Sequence, residues 1–173
     1  MKNATLLLVC ACLFCSCRYS KQPKTFSNDR LSIQYPSYLS KNDGVYPKPD
    51  GILEVANDYR DVYFFLADIG PKPGPNGFEI MYDSLTNQLK NGIAEPLVEK
   101  DTSFMTANSL KTHEFQVSGI VSSEKQDKRV FFIFNLFEDK QGHLYQTTGW
   151  LFRHKRHLWE KDLHQAAYSL KVK

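Results

Sequence analysis

The sequence predicts an α+β domain in which an antiparallel β-sheet is sandwiched between α-helices. Three observations carry this. Apolar and polar residues alternate in runs such as "LSIQY" (31–35), the two-residue period of a half-buried strand. Several such runs are joined by short polar turns, so chain neighbours pair antiparallel. Two other stretches carry apolar side chains at helical spacing, enough for one helix layer on each face of the sheet. Twelve Phe and nine Tyr, set among β-branched residues, fit a sheet-rich domain.

The elements follow in order. "SND" (27–29) is turn chemistry before the strand "LSIQY", which Pro36 ends because it has no N–H to donate. "GVYPKPDG" (44–51) reads as a loop. "ILEVAND" and "DVYFFLAD" form a hairpin around "NDYRD" (57–61). "IGPKPGPNG" (69–77) reads as an extended surface loop, since three Pro and three Gly exclude helix and central strand.

A helix is predicted from about Phe78 to Asn91. Phe78, Met81, Leu85 and Leu89 share one face, Asn76 and Glu79 have capping-box spacing, and Gly92 stands at the C′ position. Four strands follow, over 96–105, 110–121, 129–139 and 143–154. The last two pair through the tight turn "EDKQGH". "RVFFIFNLF" is almost wholly apolar, which predicts a central strand covered on both faces. Trp159, Leu163, Ala166, Ala167 and Leu170 mark the second helix. No internal repeat is present.

The N-terminus has a different character. All four cysteines, Cys10, Cys12, Cys15 and Cys17, lie in or directly after one apolar run. Lys2 precedes Leu6–Phe14, an apolar core of about nine residues, right for an export signal and too short for a transmembrane helix. Ser16 precedes Cys17, and the chain turns polar at once. These residues resemble a bacterial lipoprotein signal, with Phe14 departing from the usual aliphatic residue. Cys12 is the rival position, but its apolar core is shorter. The resemblance implies a signal peptide over 1–16, acylation of Cys17 and a lipidated tether over 17–25. It also implies a domain over 26–173, with no free thiol left in an oxidising compartment. Arg18 follows Cys17 where some inner-membrane lipoproteins carry Asp, and "RYSKQPK" lacks an acidic surface-export cluster. Outer-membrane placement facing the periplasm is therefore expected.

With 22 basic and 19 acidic side chains the charge is too balanced to point to nucleic acid. The opening "F.ND.LSIQYP", the helix "F..MYDSLTNQL" and the close "AAYSLKV" resemble the PsbP-like (PsbP/Mog1) family over Phe26–Val172. That resemblance implies helices on both sides of an antiparallel sheet, no catalytic residues, and a role in binding or assembly with a protein partner in the cell envelope.

Candidate chemistry is thin. His154 and His157, with His164 further on, lack a converging set of metal ligands. No G-x-S-x-G elbow is present. Asp58, Asp61 and Asp68 read as turn and edge carboxylates, and "GPKPGPNG" holds too much proline to line up phosphate-binding N–H groups. No cofactor motif appears. The basic run "RHKRHLW" supplies Arg153, Lys155 and Arg156 as candidate contacts for an acidic partner or anionic headgroups, on what reads as a solvated turn. Tyr46 is the candidate aromatic anchor in the 44–51 loop. The expected function is non-catalytic binding or assembly at a lipid-anchored site. The alternative is a periplasmic hydrolase-type enzyme whose site the sequence does not display.

Overall fold

The computed structural model describes residues 22–41, 51–122 and 126–173. Cys17 and Tyr46 lie outside these residues. The described elements are β1 (Lys24–Ser27), β2 (Leu31–Tyr35), β3 (Ser40–Lys41), β4 (Gly51–Asn57), β5 (Val62–Pro71), α1 (Gly77–Asn91), β6 (Ala94–Met105), β7 (Lys111–Ser122), β8 (Asp127–Glu138), β9 (His143–Phe152), a 3₁₀ turn (Arg153–Lys155), α2 (Arg156–Tyr168) and β10 (Lys171–Val172).

Seven strands form the main antiparallel sheet in the order β3-β4-β5-β9-β8-β7-β6. β1, β2 and β10 form a small second sheet. β8 explains the layering. Phe131, Ile133 and Phe137 face a core shared with Leu163, Ala166 and Ala167 of α2 and with Leu31 and Ile33 of β2. Val130, Phe134 and Leu136 face the opposite core, with Phe78 and Tyr82 of α1. Period-2 alternation of a doubly apolar strand thus feeds two cores. The expected sandwich is the one observed, with α2 and the small sheet on one face and α1 on the other.

Gly149 of β9 lets α2 lie close. A Cβ there would stand 3.0 Å from Leu163 Cδ1 and 3.2 Å from its Cδ2, tighter than ordinary packing.

Several local expectations change. On α1 the buried positions are Gly77, Phe78, Tyr82 and Thr86, while Met81, Leu85 and Leu89 flank them half-buried. Two polar side chains hold the centre because each is satisfied. Tyr82 Oη donates to Asp101 (2.6 Å) and Thr86 Oγ1 donates to the Tyr82 carbonyl (2.9 Å). The capping box does not form. Asn76 makes no side-chain cap bond, and Glu79 reaches across to Lys111 at 2.9 Å. Gly92 does end the helix, but with right-handed backbone (φ −80) and its N–H shared between Gln88 and Leu89 carbonyls.

The segment 69–77 is not wholly loop. β5 continues to Pro71 through a bulge at Asp68–Gly70, where Gly70 has φ +97. Lys24 and Thr25, read as tether, pair with Tyr35 and Gln34 in β1.

The two ends of the sheet differ. Val62, Leu151, Phe131, Ser118 and Leu97 lie side by side in one cross-strand row. Beyond that row are the β4–β5 turn, the 3₁₀ turn and the start of α2. This is called the hairpin end. In its turn the Asn57 side-chain oxygen accepts the Arg60 N–H (3.0 Å), as Asx turns do. β6 is an edge strand of the sheet, bulged at Ala94–Leu97 and again at Val98–Lys100.

Candidate functional site

The basic run lies at the hairpin end, and the structure gives its members different surroundings. Arg156 turns inward. Its Nε and Nη2 both reach Glu160 at 2.9 Å, Nη1 meets Glu99, and its guanidinium sits 3.8 Å from the Phe131 ring centroid. The Glu160 hydrogen bonds push its pKa further up, against the opposing effect of partial burial. Lys155 is ion-paired with Asp61, which ties the 3₁₀ turn to the β4–β5 turn. Arg153 is exposed and only loosely placed, 3.9 Å from Glu99. The run is therefore half internal cross-link and half open surface, rather than one solvated patch.

Arg153 borders a shallow pocket of about 620 Å³. Phe152 lines it, with Lys128 Nζ 4.5 Å from the ring centroid and the exposed His154 ring stacked at 6.1 Å. Arg129, Gln126, Asp127 and Asp61 complete the rim. An aromatic floor beside Lys128 and Arg153 suits an anionic group attached to an apolar body, with Asp61 already engaged by Lys155 and Asp127 as the opposing charge.

A second polar region was not foreseen. On β7, Thr112, Glu114, Gln116 and Ser118 point to the α2 side and are buried. Glu114 is 0 % exposed. It accepts hydrogen bonds from Tyr168 Oη and Gln116 Nε2 (2.8 Å), meets Lys100 Nζ at 2.9 Å, and lies 3.2 Å from His164 Nδ1. Burial alone would raise its pKa, but the neighbouring His164, Tyr168 and Lys100 outweigh this and hold it down at about 2. Burial and the same bond push the Tyr168 hydroxyl upward. Glu99 behaves alike: burial opposes, while Ser118, Arg156 and Arg153 lower it. A groove of about 430 Å³ runs over this seam between Arg156 and Tyr168. The only trace in the sequence was the polar member of each pair in "LKTHEFQVSGIV". Nothing there said that α2 and β6 would cover them.

His154 and His157 are exposed on either side of Arg156, whereas His164 lies in the seam. Among the described residues no group of three or more His, Cys, Asp or Glu is arranged to hold a metal. Of the three carboxylates near the first hairpin, Asp58 accepts from Tyr63 Oη (3.2 Å) and Asp61 binds Lys155. Asp68 binds His143 and, at 3.3 Å, Arg30. They serve three separate places. Among the described residues no helix is long and apolar enough to cross a membrane.

No protein-family model matches the chain, and no curated protein is similar to it in sequence. Solved structures do share its fold. PsbP of the cyanobacterium Synechocystis (CyanoP) superposes with a TM-score of 0.63 at 11% identity, over 87% of this chain and 92% of that one. The Ran-binding protein Mog1p of Saccharomyces cerevisiae gives 0.60 at 10%, over 87% and 95%. LpqN of Mycobacterium tuberculosis, involved in cell envelope biogenesis, gives 0.56 at 9%, over 88% and 91%. Identities this low carry the fold and nothing finer: the chain has the PsbP/Mog1-like α+β architecture.

Proposed function

We propose that this protein is a lipid-anchored module of the bacterial cell envelope that works by binding, without catalytic turnover. Cys17 carries the acyl anchor, the segment 17–25, whose last two residues begin β1, links it to the domain, and the domain faces the periplasm from the outer membrane. The carrying observation is the pocket at Arg153, where cations and an aromatic floor stand open to solvent. The shared fold is compatible with this reading: one neighbour is described as a Ran-binding protein and another as involved in cell envelope biogenesis. Arg153 and Tyr46 are the proposed contact residues, with Lys155 and Arg156 holding the turn that presents Arg153.

The enzyme alternative would have to use the seam, where a carboxylate, a histidine and a tyrosine meet. Glu114 is poorly suited to that. A general base works best with a pKa near the operating pH, and Glu114 is held at about 2 by its own donors.

Metabolic labelling with a clickable fatty acid tests the anchor. The wild type is expected to label and Cys17→Ser to stay dark. Labelling that survives Cys17→Ser and vanishes with Cys12→Ser would move the site. A hydrolase or transferase activity of the purified protein, abolished by one substitution in the seam, would overturn the binding reading.

A further inference from the structure

Of the seven exposed large hydrophobic side chains among the described residues, five gather at the hairpin end: Tyr59, Leu97, Val98, Val121 and Leu158. Leu97 stands in the row that ends at Val62, Val98 pairs with Val117 one row further in, and Val121 lies beyond that terminal row, where β7 and β8 continue to Ser122 and Asp127. Tyr59, at the tip of the β4–β5 turn, is 98% exposed. Only Ile80 and Met105 are exposed elsewhere. Cations stand among these five: Arg153 and Lys128 at the pocket, and Arg60, whose guanidinium lies 4.4 Å from the Tyr38 ring and 4.7 Å from Trp159. Acidic groups stand there too: Asp61 is ion-paired with Lys155 and Glu99 with Arg156, while Asp127 lines the same pocket as Arg153 and Lys128.

The chain enters the domain at this same end. Lys24 Nζ donates to the Leu39 carbonyl (2.7 Å), and Asn57 of the hairpin turn donates to the Tyr38 carbonyl (2.7 Å). β1 then runs away from it, since Lys24 pairs with Tyr35 and Ser27 with Ser32. From Cys17 to Lys24 there are seven residue steps. Fully extended they reach at most about 25 Å. The segment 18–25 holds Arg18, Lys21 and Lys24 and no acidic residue.

We propose that the hairpin end is the membrane-facing surface of the domain and docks on anionic phospholipid headgroups, with Tyr59 and Leu158 at the interface and Arg153 and Lys128 on the phosphates. The proposal rests on the Cys17 anchor and names what the Arg153 pocket meets. A short tether that leaves from one end keeps that end at the bilayer. One acyl-anchored site joined by basic and aromatic side chains gives the second signal that stable membrane residence needs. The Tyr168 end of the groove over the α2 seam points away from the bilayer in this orientation.

Hydrogen-exchange mass spectrometry of the full chain tests this. The protein is purified from membranes and reconstituted on vesicles of phosphatidylcholine, with or without phosphatidylglycerol. With phosphatidylglycerol, amides of 57–62 and 153–158 are expected to slow by about fivefold, while 77–82 and 105–110 are unchanged. Lys128→Glu with Arg153→Glu is expected to abolish the slowing and leave protection in β7 and β8 intact. Slowing at 77–82 instead, or equal exchange on both vesicles, would overturn the proposal. The same spectra weigh the peptide holding Cys17. Acylated Cys17 without slowing overturns the docking and leaves the anchor. Slowing with an unmodified Cys17 supports the headgroup contact and removes the anchor reading.

Discussion

The two faces of the sheet are closed in opposite ways. Under α1, β7 presents Phe115 and Val117 and β8 presents Phe134 and Leu136, all buried and apolar. Under α2 the same two strands diverge. β8 presents Phe131 and Ile133, but β7 presents Thr112, Glu114, Gln116 and Ser118. One helix is held by area removed from water. The other is held partly by a seam of charges and hydrogen bonds whose members are costly to leave unpaired. The two faces should therefore fail under different conditions, heat and cavities on one, acid on the other.

Truncating the apolar face is the largest perturbation. Phe134→Ala is expected to cost about 3–5 kcal/mol of unfolding free energy in urea, as buried Phe losses do. A loss under about 1 kcal/mol would mean that this core relaxes freely. The seam should cost somewhat less. Glu114→Ala is expected to cost about 2–3 kcal/mol, because Tyr168 and Gln116 lose their common acceptor and His164 its carboxylate neighbour, while half-exposed Lys100 returns to water.

Acid sharpens the contrast. The folded pKa of Glu114, about 2, lies below its ordinary value of 4.5. Its contribution is thus fully present above pH 4.5 and lost as pH falls from there to about 2. At most it is on the order of 3 kcal/mol. Glu99, also shifted down, adds loss of the same sign. Urea midpoints taken across this window should drop steeply in the wild type and less steeply in Glu114→Gln. Parallel curves for the two proteins would show that the seam carries none of the acid sensitivity.

A smaller effect is expected at the flank of α1. Leu85 is only half-buried, so Leu85→Ala should cost about 1–2 kcal/mol, below the range for a fully buried leucine. Smallest of all is Arg153→Ala, within about 0.5 kcal/mol. Arg156→Ala is expected to exceed it clearly, since it leaves Glu99 and Glu160 without their shared cation. Equal stabilities for these two variants would contradict the inward placement of Arg156.

What the sequence disclosed follows the strength of local patterning. β8 and β9 were legible because a long apolar run and a tight glycine turn leave few alternatives. α1 and α2 were legible from their spacing. β1, β3 and β10 were not, for "KTFS", "SK" and "KV" are too short and polar to show a period. They are strands because β2 and β4 offer them an edge. Ile69–Pro71 was hidden by its own composition: proline ends a strand legally, and Gly70 permits the bulge before it. The site divided likewise. Arg153, Lys155 and Arg156 stood out as a contiguous run, but which one turns inward depends on Glu99 and Phe131, far away in sequence. The Glu114 seam joins three elements through single side chains, and no local period encodes that.

The exposed edge of β6 carries a consequence for the chain's solubility. A strand of twelve residues that pairs on one side only among the described residues is a template for adding another strand, and so for aggregation. β6 defends itself along its length. Glu95 sits at φ 50, Pro96 removes a donor, two bulges break the flat register, and Glu99, Lys100 and Asp101 place charge at the middle. Only the stretch from Thr102 to Met105 is left regular and nearly uncharged, with Phe104 against Tyr168. If α2 loosens in acid, that contact goes with it. The first intermolecular strand pairing should then begin at the last four residues of β6, well before the rest of the sheet has come apart.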